Sequence, residues 1–140
     1  MNKLILIFFM LGMNSLPKET IKSLALSYQT RGTQKHLFIS ADSTIVTINA
    51  EKHGYKTKAS QWKKILKTLE KVKLSRISML KRPSTKSYYD GAMIAQLTVC
   101  TSKKTYESIN FDHNNPPILL TKPINAMKAS LNGTEHKGDF

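Results

Sequence analysis

At 140 residues, with 22 Lys and Arg against nine Asp and Glu, the chain carries a formal charge of +13 and a single cysteine. One cysteine excludes an intramolecular disulfide, and the length suits one self-supporting core rather than several domains. The charge favours acidic partners over basic ones.

The first fifteen residues, MNKLILIFFMLGMNS, set Lys3 ahead of an apolar run from Leu4 to Met13. A spanning helix needs about 20 apolar residues. This run halts at Asn14-Ser15 and is followed by Pro17, Lys18 and Glu19. Residues 1–15 therefore read as an export signal, with a periplasmic or extracellular destination and no spanning segment after processing. A short buried helix is the competing reading, but it gives Lys3 no role and the run has no amphipathic face. Cleavage would remove Lys3 and none of the acids, leaving +12.

Period-two alternation follows. Leu24, Leu26 and Tyr28 alternate with Ser23, Ser27 and Gln29, ending at Arg31-Gly32. Two more runs cover residues 35–40 and 44–49, with Asp42-Ser43 between them to favour a tight reversal. An antiparallel meander of three strands is expected, then a loop at Lys52-His53-Gly54-Tyr55.

Between residues 52 and 86 twelve basic side chains face one acid, Glu70. Within this region Trp62, Ile65, Leu66, Leu69 and Val72 recur at helical spacing behind Ser60, a good N-cap. The opposite side of that helix, carrying Lys63, Lys64, Lys67 and Lys71, could bind an anionic polymer or lipid headgroups; a solvated face is the plainer reading. Nucleic acid is disfavoured, because the one Trp lies on the apolar stripe.

After Pro83-Ser84, strands over 92–101 and 105–111 are close enough to form a hairpin. If Thr101 faces Thr105, Ala95 and Leu97 oppose Phe111 and Ile109, and Cys100 meets Tyr106 on the wetter face. The hairpin must also bring Tyr88-Tyr89-Asp90-Gly91 beside Asp112-His113-Asn114-Asn115. Tyr88, Tyr89, Asp90, Asp112, His113, Asn114 and Asn115 are therefore the candidate binding residues, against a plainer reading as capped turns leading to Pro116-Pro117. No metal site is expected: His36, His53 and His136 are scattered, and His113 has no second histidine at helix or strand spacing. No nucleophile elbow or phosphate-binding glycine loop is present, so neither a catalytic residue nor a cofactor is assigned. A last helix spans about Ile118 to Leu131, with Leu120, Ile124, Met127 and Leu131 as its stripe. Pro123 fits its first turn if Thr121 caps it, and residues 132–140 should be a flexible tail.

The segments TKASQWKKILKTLEKVKLSRISML, YYDGAMIAQLTV and YESINFDHNNPP together resemble a group of small exported proteins from Bacteroidota. The likeness covers residues 22 to 131. It implies a strand-rich start, a helix with a Trp, an Asp-Gly-Ala lead into a strand (Asp90-Gly91-Ala92) and a Phe-Asp-His-x-Asn-Pro-Pro exit before the final helix. Here Phe111 to Pro117 fill that exit, with Asn114 where relatives would have Gly. The resemblance implies no activity.

The expected architecture is a single α+β domain over residues 20–131. It has a mostly antiparallel sheet of about five strands, a helix between strands three and four, and a C-terminal helix. Three functions remain open. The first is an exported binding or inhibitor-like module using the two loops, with a protein or other acidic partner in the cell envelope. The second is adhesion of the lysine face to an anionic polymer or lipid, and the third a small hydrolase using Asp90 and Asp112.

Overall fold

Alternation of apolar and polar residues builds the sheet in the computed structural model, which describes residues 15–140. The apolar run of the expected export signal lies outside the described residues. Strands β1 (Ile21–Thr30), β2 (Thr33–Ser40), β3 (Ser43–Ile48) and β4 (Glu51–Lys56) form an antiparallel meander. Gly32 makes the first reversal at φ +73°, a backbone region in which a Cβ is strained. Asn49 takes φ 55° at the third, where its side chain accepts the Gln34 N–H at 3.0 Å.

The fourth strand corrects the sequence reading, in which Lys52-His53-Gly54-Tyr55 was a loop. These residues pair with β3 in continuous register from Ser43↔Lys56 to Ile48↔Glu51. β4 is the sheet's edge, none of its residues is fully buried, and a ladder of backbone bonds holds it without a hydrophobic period. Helix α1 (Ala59–Leu69) consequently lies between the fourth and fifth strands, not the third and fourth. It starts earlier than a Ser60 cap would allow. Lys58 occupies the cap position, and its N–H donates to the Gln61 side chain at 3.4 Å.

Strand β5 (Ile94–Thr101) pairs antiparallel with β1, and β6 (Thr105–Glu107) closes the hairpin. The two-residue β7 (Phe111–Asp112) pairs with the start of β5. The sheet order is β4-β3-β2-β1-β5-β6, and seven strands are found among the described residues where about five were expected. The expected register holds at Ala95↔Phe111 but slips by one toward the turn, where Val99 faces Tyr106 and Cys100 faces Thr105. Ser108 absorbs the extra residue. Its N–H donates to the Leu97 carbonyl at 2.8 Å and its hydroxyl accepts the Leu97 N–H at 2.9 Å, so a bulge splits the single expected strand into β6 and β7.

One sheet face carries Leu24, Leu26, Leu37, Ile39, Leu97 and Val99, all buried in one core with Ile65 and Leu69 of α1. Helix α2 (Thr121–Ala129) follows a 3₁₀ turn at Ile118–Leu120 and holds Pro123 in its first turn, where no intrahelical donor is lost. Its cap is Leu120 rather than Thr121, and its expected stripe of Leu120, Ile124, Met127 and Leu131 is buried throughout. Residues 132–140, expected as a flexible tail, fold back on the sheet: Phe140 packs against Tyr28 at 5.4 Å, and Lys35 Nζ donates to the Asp139 carbonyl at 2.6 Å. Among the described residues no helix is long and apolar enough to cross a membrane.

Candidate functional site

The β5–β6–β7 hairpin brings the segment before β5 against the segment after β7, as its spacing requires. A 3₁₀ turn at Lys86–Tyr89 ends in Asp90, which is left-handed at φ 56°. The next residue donates its N–H back to the Lys86 carbonyl at 2.9 Å. A Cβ at Gly91 would lie 3.2 Å from that same oxygen, close enough that the Lys86 carbonyl would have to give by a few tenths of an ångström.

Asp112 lies beneath this turn, with none of its surface exposed. Its Oδ2 accepts the Ser84 hydroxyl at 2.5 Å and the Lys86 N–H at 2.7 Å, while Oδ1 accepts the Ser87 N–H at 3.0 Å and Arg82 Nη2 at 3.2 Å. Burial by itself would raise this carboxyl. The donors from Ser84, Ser87 and Lys86 outweigh it and hold the group well below the usual carboxylate range. Asp112 is thus an anchor that ties the Arg82–Ser87 segment to β7. It offers no oxygen to a ligand without first giving up an internal donor.

His113 points elsewhere. Its Nδ1 accepts the Met93 N–H at 3.1 Å, its own N–H donates to the Met93 carbonyl at 3.0 Å, and its ring meets Tyr28 edge-on at 5.3 Å. Burial lowers the imidazole below its ordinary value, and Lys128 pushes the same way. Asn115 completes the turn by donating its N–H to the Asp112 carbonyl at 2.8 Å and its side-chain amide to Ser84 Oγ at 3.1 Å.

The seven candidate residues therefore come together but divide by role. Asp112, His113 and Asn115 have polar groups engaged in holding the loops, whereas Tyr88, Tyr89, Asp90 and Asn114 are exposed. Tyr88 is 66% exposed under the Arg82 guanidinium, 4.4 Å from the ring centroid, and Tyr89 is 84% exposed. Arg82, Ser84 and Ser87 escaped the sequence reading because 25 to 30 residues separate them from the carboxylate they serve. The one available signal is that a buried carboxylate requires donors, which the Arg-Pro-Ser-Thr-Lys-Ser run from Arg82 to Ser87 supplies.

Asp90 and Asp112 do not form an acid and base pair. A shallow cavity of about 320 Å³ is lined by Asp90 together with Gln29, Arg31 and Ser87, and Asp112 is not part of its wall. A general acid at neutral pH also needs its carboxyl raised, and that of Asp112 is lowered.

The lysine face borders a larger hollow. Lys64 and Lys67 of α1, Lys71 in the turn that follows it and Lys122 of α2 surround a groove of about 520 Å³, with Glu70 as the one acid among them and Val72, Ile118 and Leu119 as its apolar wall. Ile118 is 87% exposed and Leu119 55%, both on the 3₁₀ turn that leads into α2. Lys63 is exposed on α1 but does not line the groove.

Compared with known proteins, the chain matches no family model, no curated protein and no solved structure.

Proposed function

We propose that the protein is a small exported binding module that docks on an anionic lipid surface through the groove between α1 and the Ile118–Leu120 turn. The observation that carries this reading is the pairing of two exposed aliphatic side chains, Ile118 and Leu119, with four lysines around one hollow. Aliphatic side chains at such a rim enter the headgroup and acyl boundary, while lysines reach lipid phosphates. Isolated lysines on a solvated helix need no apolar neighbours, and isolated exposed leucines need no cationic ring.

The test is flotation of the protein with vesicles of phosphatidylglycerol and, separately, of phosphatidylcholine. Binding to the anionic vesicles alone is expected. Charge reversal at Lys64, Lys67 and Lys71 removes it, each lysine contributing about 1 kcal/mol near an anionic surface. Replacing Ile118 and Leu119 by Ser weakens binding without changing its salt dependence. Equal binding to both vesicles, or binding to neither, overturns the proposal.

The loop edge supports a second reading, recognition of an envelope protein in the manner of an inhibitor. Two adjacent exposed tyrosines favour it, since Tyr is enriched at binding hot spots. The informative variants are Tyr88→Ala and Tyr89→Ala, which should abolish capture and leave folding intact. Asp112 variants would confuse recognition with loss of the anchor.

A further inference from the structure

The histidines that are scattered in sequence are not scattered in space. His53 lies on the edge strand β4, and Glu135 and His136 lie in the turns after α2, 82 and 83 residues further along the chain. The two imidazole rings are 4.5 Å apart. Glu135 Oε1 is 3.6 Å from His53 Nδ1 and 3.6 Å from His136 Nε2, and one ligand atom from each of the three residues lies within 4.8 Å of the others.

We infer that His53, Glu135 and His136 form a binding site for a divalent late transition-metal ion of the zinc type. The spacing is the first support. Bonds of about 2.0–2.1 Å to nitrogen and oxygen in a tetrahedral set place neighbouring donors about 3.3 Å apart, close to the two separations found here.

The state of His136 is the second and independent support. The residue is 8% exposed, and its Nε2 is buried with no hydrogen-bond partner among the described residues. A buried ring nitrogen without a partner is costly unless something accepts its lone pair or proton. The other ring nitrogen shows which of these applies. Nδ1 lies 2.7 Å from Asp139 Oδ2, and a carboxylate there fixes the proton on Nδ1. The Nε2 lone pair is thereby directed toward Glu135 and His53, and a carboxylate behind a histidine is the usual support of a metal ligand.

Charge agrees with the geometry. Glu135 and Asp139 place two of the chain's nine acids beside the two imidazoles, which balances a divalent ion locally in a strongly basic protein. Lys35 also approaches, but through the main-chain carbonyl of Asp139 rather than its carboxylate. Two imidazoles and one carboxylate select zinc, copper or nickel over magnesium or calcium, which prefer all-oxygen sets. Three protein donors leave a fourth position for water or a partner's side chain.

Isothermal titration of the full chain with ZnCl₂, with MgCl₂ as control, tests the site. One saturable zinc site per chain is expected, with no magnesium response and a melting temperature that rises with zinc. His53→Ala and Glu135→Ala, both at partly or fully exposed positions, each lower zinc affinity at least tenfold while the apo protein melts normally. Asp139→Asn, which acts through His136, lowers it about 10–100-fold. Cys100→Ser leaves it unchanged. Absence of a saturable site, undiminished affinity in His53→Ala, or loss of binding in Cys100→Ser overturns the inference.

Discussion

Two histidine and aspartate neighbourhoods in this molecule carry similar chemistry and use it in opposite ways. Around Asp112 and His113 the polar groups are engaged: the carboxylate takes four donors, and the ring nitrogen facing the backbone takes a fifth, from Met93. Around His136 the account is left open, with Asp139 holding one ring nitrogen and the other facing Glu135 and His53 without a hydrogen-bond partner among the described residues. A dense run of polar residues is therefore a poor guide to a ligand site. What distinguishes a site is a buried polar atom whose valence the protein itself leaves unfilled.

The largest effect that sharpens this contrast belongs to the engaged side. Asp112→Ala strands Arg82 and two backbone N–H groups in a buried place, and should cost about 3 kcal/mol or more of unfolding free energy, read from urea denaturation. The equivalent loss at Glu135, which is mostly exposed, should lie within about 0.5 kcal/mol without metal. A large apo-protein loss at Glu135, or none at Asp112, would collapse the distinction.

A smaller effect of opposite sign is expected at Tyr28, whose hydroxyl is buried without a partner among the described residues and whose ionisation burial drives up. Tyr28→Phe removes that unsatisfied group at constant shape and should stabilise the fold by about 1 kcal/mol. If stability drops instead, the hydroxyl has a partner that matters.

Acidity tests the His113 side. Its imidazole is lowered from an ordinary 6.5, first by burial, so the unfolded chain binds this proton more readily than the folded one. The resulting stability is fully present above pH 6.5 and is lost as pH falls below that value toward the folded one. Thermal melts at a series of pH values should show this decline, and His113→Gln should flatten part of it while keeping an acceptor for Met93. An unchanged pH profile in the variant would remove His113 from the account.

The smallest effect is expected at the displayed loop edge. Tyr88→Ala and Tyr89→Ala should change stability by no more than about 0.5 kcal/mol, because both side chains are mostly exposed. A larger loss at Tyr88 would mean that its stacking with Arg82 supports the Asp112 anchor.

Local pattern made much of the fold legible. The strands of β1 to β3, the stripe of α1, the stripe and first-turn proline of α2 and the meeting of the two loops all follow from periodicities of 2 and 3.6 residues, from the rules of the first helical turn and from hairpin closure. β4 was not legible, since an edge strand with no buried side chain is written in backbone hydrogen bonds rather than in side chains. The bulge at Ser108 was hidden for a related reason: a hydroxyl that replaces a ladder partner leaves no mark in the apolar alternation.

The sequence by itself determined the charge of +13, the absence of an intramolecular disulfide, the α+β class and which side chains turn inward along each periodic segment, because these depend on composition and nearest neighbours. Tertiary structure alone decided which polar groups are engaged and which are left open. Arg82 reaches Asp112 across 30 residues and His53 meets His136 across 83, and chain separations of that size carry no periodicity. Only the folded sheet, by stacking β4 beneath the turns after α2 and β7 beneath the turn at Lys86–Tyr89, brings those partners within bonding distance.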